Sequence, residues 1–407
     1  MSSDFMDSSD YSDRIDKPPS SGRSFDRRAF LKSGCAGMVA GRLATTGRVL
    51  ADEAPQAADH RLIVRTERPL NLESPSASLD SWLTPSEEFF VRSHHGAPAV
   101  GLSPWEIAVE GLVERPLALS LDALLDLDST TRQAVLQCAG NGRALFRPRM
   151  PGTPWERGAV GHAEWSGVSL ASLLRKAGLK PGAAHVHLIG GDVPPNPKSP
   201  AFVRSVPIEA AIDAGALIAF RMNGEPLPVL HGGPARMVVP GWAANNWTKW
   251  IRKIIVSAEE SQAFFMKTGY RLARHPVPPG VNPDPKDLAP VTWMNVKSLI
   301  SRPGLGETVA NSPQEVRGVA WTGKGHVTKV EFSTDRDPTW QVAELIGEPV
   351  QGSWRRFKIA WTPPAPGSYV LRVRATDSEG DVQPEKSPWN KSGYLWNGYD
   401  QVACVVS

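Results

Sequence analysis

The chain has 407 residues, enough for two or three domains. Its 41% hydrophobic and 21% charged residues are the make-up of a globular protein, not of a disordered or fibrous one. Forty-five Lys and Arg against 42 Asp and Glu leave a net charge of +3, too balanced for the electrostatic footprint of a nucleic-acid-binding protein. No run approaches the roughly 18–20 apolar residues of an integral membrane span.

Residues 1–24 hold eight Ser and five Asp and read as a disordered leader. Arg27-Arg28 then precede a weakly apolar, Ala/Gly-rich run to Ala51, the pattern of a twin-arginine export signal. Val49-Leu50-Ala51 offers a small-residue cleavage site. The ordinary alternative is a chance pair in a tail, since Arg42 and Arg48 interrupt the run. Cys35 follows Lys32-Ser33-Gly34, a poor context for a lipid anchor. Residues 1–51 are therefore expected to be a leader and signal, and the protein is expected to be periplasmic, exported folded. That route suits an enzyme that receives a cofactor in the cytoplasm.

An extended N-terminal segment is expected over 52–79 and a mixed α+β domain over 80–273. There, strand-like Trp105–Val109, His185–Ile189 and Met237–Val239 alternate with helix-like Leu121–Leu127, Leu170–Lys176 and Ile208–Ile212. Residues 274–290 contain six prolines and no periodicity, and predict a surface linker. Over 291–407 the short β-branched and aromatic runs Val316–Trp321, Val327–Phe332, Arg356–Trp361 and Tyr369–Ala375, parted by Gly/Pro/Asp turns, predict an immunoglobulin-like β-sandwich.

The chemistry gathers at Gln137-Cys138-Ala139-Gly140-Asn141-Gly142-Arg143, which follows the strand-like Ala134-Val135-Leu136. A cysteine at a strand end, beside two glycines and a basic residue, is placed for thiolate chemistry, either nucleophilic attack or metal ligation. An isolated cysteine is more often buried and inert. Three cysteines in all, Cys35, Cys138 and Cys404, make neither a disulfide scaffold nor a multi-cysteine zinc site.

Six segments stand in one order: Phe90-Val91-Arg92-Ser93-His94, Cys138 to Arg143, Met222 to Pro228, His231-Gly232-Gly233-Pro234-Ala235-Arg236, Val239-Pro240-Gly241-Trp242 and Lys249-Trp250. In that order they resemble the molybdopterin domain of the sulfite oxidase family. The segment after the linker, with Ser333-Thr334-Asp335 and Pro338-Thr339-Trp340, is similar to that family's dimerisation domain. The resemblance covers roughly residues 80–400 and implies a homodimer.

It further implies molybdenum bound to molybdopterin, with Cys138 the one protein ligand to the metal, through its thiolate. Sulfur ligation alone would equally suit copper, zinc or an iron–sulfur cluster. Arg92 and Arg143 would face the substrate oxyanion, which suits the fixed charge and planar donor fork of guanidinium. Tyr270 would hydrogen-bond near the metal, and Trp155 would wall the anion pocket. Phe90, Arg92, His94, Asp192, His231, Arg236 and Lys249 would hold the pterin and its phosphate. Each has an ordinary reading taken singly: surface ion pairs for the arginines, core packing for the histidines and aromatics, a turn for Asp192, a snorkelling amine for Lys249. Their joint order outweighs those readings.

Other signals are discounted. Gly318 to Lys324 has phosphate-loop spacing, but Gly325 replaces the required Ser/Thr. His185 and His187 share a strand face without a third ligand nearby in sequence. No Cys-x-x-Cys-His motif occurs, and no haem is expected.

Two departures bear on the substrate. Gly142 stands where the family often has arginine, and Ser392 stands where sulfite-specific relatives place another arginine. The resemblance implies oxidation of the small anion sulfite to sulfate by oxygen-atom transfer, with electrons leaving to an external acceptor such as a c-type cytochrome. Rival readings are a same-family molybdoenzyme for another sulfur compound or a sulfoxide, and an exported, non-catalytic binding protein.

Overall fold

Side-chain alternation sets the strands. In Asp400–Val406 buried and exposed residues alternate strictly, and in Gly367–Asp377 every second residue from Tyr369 is buried, the period of a sheet with one face on a core. Helices begin where a serine can cap them. Ser120 Oγ accepts the Ala123 N–H at 3.1 Å to start Leu121–Leu125, and Ser169 Oγ accepts the Ser172 N–H at 3.1 Å to start Leu170–Ala177. The second helix buries Leu170, Leu173, Leu174 and Ala177, one face at helical spacing.

The structure is a computed structural model that describes residues 62–99, 104–336 and 339–407. The expected leader, its arginine pair and residues 52–61 lie outside the described residues. No helix among the described residues is long and apolar enough to cross a membrane.

The first lobe holds two five-stranded sheets. One runs in the order Glu225–Pro226, Leu217–Met222, Val160–Ser169, Ser129–Gln137, with Arg236–Val238 also pairing to Leu217–Met222. The other runs Leu117–Ser120, Glu106–Gly111, Ile251–Ser257, His185–Gly190, Val203–Pro207, with one parallel pairing, Glu106–Gly111 beside Ile251–Ser257. With the short helices this is the expected α+β arrangement. The second lobe packs a four-stranded sheet (Lys297–Arg302, Gln314–Trp321, Arg355–Trp361, Glu344–Ile346) on a five-stranded one (Thr308–Val309, Asp400–Val406, Gly367–Asp377, Val327–Thr334, Gln341–Val342). It is the β-sandwich that the short runs predict.

Residues 274–287 lie mostly exposed, and the span is closed at its base where Arg271–Ala273 pairs with Leu288–Pro290. Residues 62–79 are less featureless than an extended segment. Ile63–Thr66, Asn71–Glu73 and Val91–Arg92 form a small sheet in which Asn71 lies opposite Arg92. Asn71 Oδ1 accepts from Arg92 Nη1 and from the Ser93 N–H, each at 3.2 Å.

Each lobe has its own apolar core, and a third cluster joins them. That cluster includes Val135, Ala139, Ala243 and Tyr270 from the first lobe and Leu299, Val319, Trp321 and Trp354 from the second. Polar contacts reinforce the seam. Arg157 grips Asp400 with two guanidinium nitrogens, and Asp400 Oδ2 also accepts the Ile300 N–H at 2.8 Å. His162 is wholly buried. Its Nδ1 donates to Trp82 O at 2.7 Å, which leaves Nε2 to accept from Ser353 Oγ at 2.6 Å.

Burial pushes the His162 imidazole down from 6.5 to about 4, so the folded protein keeps it neutral where the unfolded chain charges it. The stability present above pH 6.5 is therefore lost as pH falls toward 4, at about 1.4 kcal/mol per pH unit for this one proton. Urea midpoints of the wild type and of His162→Gln between pH 4 and 7 should differ by that slope, with the variant flatter.

Candidate active site

Strand Ser129–Gln137 carries a buried run, Ala134 to Gln137, into the seam and delivers Cys138 to its end. A tight turn follows: Asn141 N–H donates to Cys138 O and Arg143 N–H to Gly140 O, both at 2.9 Å. Gly142 closes it at φ 86°, a left-handed conformation that suits glycine. A Cβ there would lie 2.8 Å from Trp396, so an arginine at this position has no room. The thiol is 5% exposed, and the Gly140 N–H points at its sulfur at 3.4 Å. The second lobe holds the turn on both sides. Trp321 Nε1 donates to Gln137 Oε1 at 2.8 Å, and the Leu395 N–H donates to Ala139 O at 2.7 Å.

Cys138 opens on a partly enclosed cavity. Phe90, Arg92, His94, Asp192, His231, Arg236, Lys249 and Tyr270, all expected at the site, line it together. The far end is cationic. Arg236 donates to His231 O and Trp247 O at 2.6 and 3.1 Å and lies over the Trp165 and Trp247 rings. Lys249 Nζ donates to Ser93 Oγ and Leu230 O at 2.8 and 3.0 Å. Burial pushes Arg236 down to about 9 and, with Arg236 and Arg92 nearby, drives Lys249 well below its usual range. His231 donates from Nε2 to Ser86 O at 2.9 Å, and burial lowers it to about 3. Asp192 is the one carboxylate in the lining, raised by burial.

At the cysteine end, Tyr270 adopts a left-handed backbone, φ 55°, and its hydroxyl meets His94 Nε2 at 2.5 Å. Burial, then the charge of Arg92, holds His94 far below its normal range and therefore neutral. Burial likewise raises the Tyr270 phenol, which stays protonated. Two expected residues stand back from the cavity. Trp155 is fully buried edge-on behind Phe90, at 6.3 Å between centroids, where it supports the wall without forming its surface. Arg143 lies outside the lining, over the ring of Tyr394.

Three residues were missed in the sequence. Phe202 stacks on His94 at 4.2 Å, Arg204 is fully buried under the Tyr270 ring, and Tyr394 stacks on the other face of the site at 5.2 Å from Tyr270. Arg204 is the one charge on the strand Val203–Pro207, whose three central residues are all buried; nothing local marks Tyr394. The discounted motifs stay discounted. Gly318 to Lys324 lies in a strand–turn–strand, and His187 and His185 bond to Glu259 O and Ser205 Oγ. Among the described residues no three His, Cys, Asp or Glu gather for a metal.

The cavity suits a group that is anionic at one end and can meet the Cys138 sulfur at the other. Buried polar atoms without partners in the protein point the same way: Arg236 Nε and Asn245 Oδ1 in the lining, Thr248 Oγ1 beside Lys249, and both amide atoms of Asn141. Such groups are costly when left unsatisfied. A phosphate-bearing pterin whose metal reaches Cys138 satisfies both demands.

Residues 94–265 match the family model of the oxidoreductase molybdopterin binding domain, and residues 289–407 match the Mo-co oxidoreductase dimerisation domain. Sulfite oxidase of Gallus gallus is 34% identical over 377 residues, which cover 86% of this chain and 82% of that protein. The chain belongs to the sulfite oxidase family. Mitochondrial sulfite oxidase of Homo sapiens is also 34% identical, over 85% of this chain, and the chain spans 66% of that protein's length. Nitrate reductase [NADH] 1 of Phaseolus vulgaris is 31% identical over 84% of the chain and 42% of its own. Among solved structures, the sulfane dehydrogenase SoxCD of Paracoccus pantotrophus superposes with a TM-score of 0.71 at 27% identity, covering 88% of this chain and 92% of that one. Membership sets aside the reading of a non-catalytic binding protein.

Lys249 supplies a test of the cofactor end. With a methionine there, the empty protein is freed of a buried amine and should be at least as stable as wild type in urea. Its molybdenum and pterin content, measured by metal analysis and pterin fluorescence, should fall by about tenfold or more.

Proposed function

We propose that the protein oxidises sulfite to sulfate with Mo-molybdopterin and passes two electrons to a separate acceptor. The observation that carries this reading is the set of guanidiniums around Tyr270. Arg92, Arg143 and Arg204 make no ion pair among the described residues; their hydrogen bonds go to carbonyls and to the amides of Asn71 and Asn246. Arg92 lines the cavity that Cys138 opens on, with Arg143 and Arg204 one layer behind it, and cations so placed favour a small anion.

The cofactor, when bound, supplies two-electron oxygen-atom chemistry. The chain's residues do the rest. Cys138 would anchor the metal, and Arg236 and Lys249 would hold the phosphate. Arg92 is oriented by Asn71 and offers its fork to the oxyanion, so positive charge is in place as the anion enters. Neutral His94 holds the Tyr270 hydroxyl at one position, and Phe202 and Phe265 shield that pair. Overall, sulfite and water give sulfate, two protons and two electrons.

A homodimer through the second lobe is part of the same proposal, as the matched dimerisation domain supports. Export to the periplasm, resting on Arg27-Arg28, and transfer to an external acceptor such as a c-type cytochrome belong to the same proposal. A second reading has its own support. Ser392 in place of arginine, together with the likeness to SoxCD, suits oxidation of a sulfane sulfur.

Anaerobic addition of sulfite to oxidised, molybdenum-loaded protein should bleach the visible thiolate-to-metal absorption. Unchanged absorption, with bleaching by a sulfane-bearing anion such as thiosulfate, would exchange the first reading for the second. Arg92→Gln should lower kcat/KM for sulfite by about 10- to 100-fold, mostly through KM, the usual loss for one charged hydrogen-bonding group. Wild-type constants in that variant would remove Arg92 from the anion site.

A further inference from the structure

Four side chains from the two lobes stack in one column. The Arg204 guanidinium lies 5.4 Å from the Tyr270 ring centroid. Tyr270 and Tyr394 are nearly parallel, 5.2 Å apart at 13°. The Arg143 guanidinium lies 5.3 Å from the Tyr394 centroid. The order is cation, ring, ring, cation, with the two outer charges facing the negative faces of the two phenols. Three of the four belong to the first lobe; Tyr394 comes from the second.

Arg143 lies on a bed of three glycines, where any added side chain would crowd it. A Cβ at Gly140 would come within 2.7 Å of its Nη2, one at Gly152 within 2.9 Å of Nη1, and one at Gly393 within 2.8 Å of Cγ. Its Nε and Nη1 donate to Ser392 O and Thr153 O, both at 3.2 Å. Nη2 makes no hydrogen bond among the described residues. The bed fixes the side chain without neutralising it, and the Tyr394 ring covers it. At the other end, Arg204 donates to Phe265 O and, at 3.0 Å, to Asn246 Oδ1, while its Nε has no partner. A wholly buried guanidinium without a carboxylate is costly unless rings and an incoming anion offset it.

We propose that Tyr394 is a positioning residue for anion binding: its ring clamps Arg143 on the glycine bed and, through Tyr270, ties that cation to Arg204, so that the second lobe sets the affinity of the pocket for a small oxyanion. The proposal rests on the oxyanion reading of the site and deepens it. Sulfate binding to the molybdenum-loaded protein needs no turnover, and it separates the two.

Calorimetric titration with sulfate should give a Kd about tenfold weaker in Tyr394→Leu than in wild type, the scale of one desolvated cation–π contact. Arg143→Met should weaken it at least as much, and the double variant no more than Arg143→Met alone, because the ring acts through that cation. Tyr394→Phe, which keeps the ring, should lose clearly less than Tyr394→Leu. Should the leucine variant fail to fold, Gly152→Ala, whose added Cβ would come within 2.9 Å of Arg143 Nη1 on a segment remote in sequence from Tyr394, must weaken sulfate binding too. Wild-type affinity in Tyr394→Leu, losses that simply multiply in the double variant, equal losses in the Phe and Leu variants, or no sulfate affinity in the wild type would each overturn the clamp. A protein that binds sulfate through the column yet is not bleached by sulfite keeps the clamp and loses sulfite as its substrate.

Discussion

The hydrogen bond from Trp321 to Gln137 joins two fully enclosed side chains from different lobes, one residue before Cys138. Much else follows from it. Because Gln137 is held from one side and Ala139 from the other, the Cys138 loop has no freedom to choose its own depth. The first lobe supplies the strand that delivers the thiol, and the second supplies the stops. The apolar cluster around Trp321, Trp354 and Tyr270 excludes water from those stops, which is the setting in which a single hydrogen bond is most costly to break.

The same seam explains how so many cations tolerate burial. Arg236 rests on two tryptophans, Lys249 on a third, and Arg204 on a tyrosine, so ring faces and backbone carbonyls stand where carboxylates usually would. Such partners soften the desolvation cost but leave the net charge uncompensated. The cations of the lining are thus left to be balanced by the anionic cofactor that the family implies. Arg157 and Asp400 show the contrast: where no ligand is needed, a buried guanidinium in this protein has its own carboxylate.

The elements were legible because their signals are local. β-Branched runs, capping serines and proline clusters act over a few residues, and strands such as Gln314–Trp321 and Arg355–Trp361 lie where those runs predict. The cavity lining was legible through motif order, since the pterin-side residues cluster in short segments of the first lobe. What escaped is what the seam creates. Tyr394 lies far along the chain from Cys138, and only the docking of the second lobe stacks it on Tyr270. Gly142 looked like a lost arginine; the reason for glycine is Trp396, again from the other lobe. Arg143 and Trp155 lie near the cavity but one layer from its surface, a distinction that depends on side-chain direction rather than on spacing.

The depth of the cysteine loop is gauged by residues distant in sequence, since Trp321 and Leu395 of the second lobe bond to Gln137 and Ala139 on either side of the thiol. A small change in how the two lobes dock is therefore felt at the cysteine itself, so substitutions in the second lobe that never approach the cavity still act on its geometry.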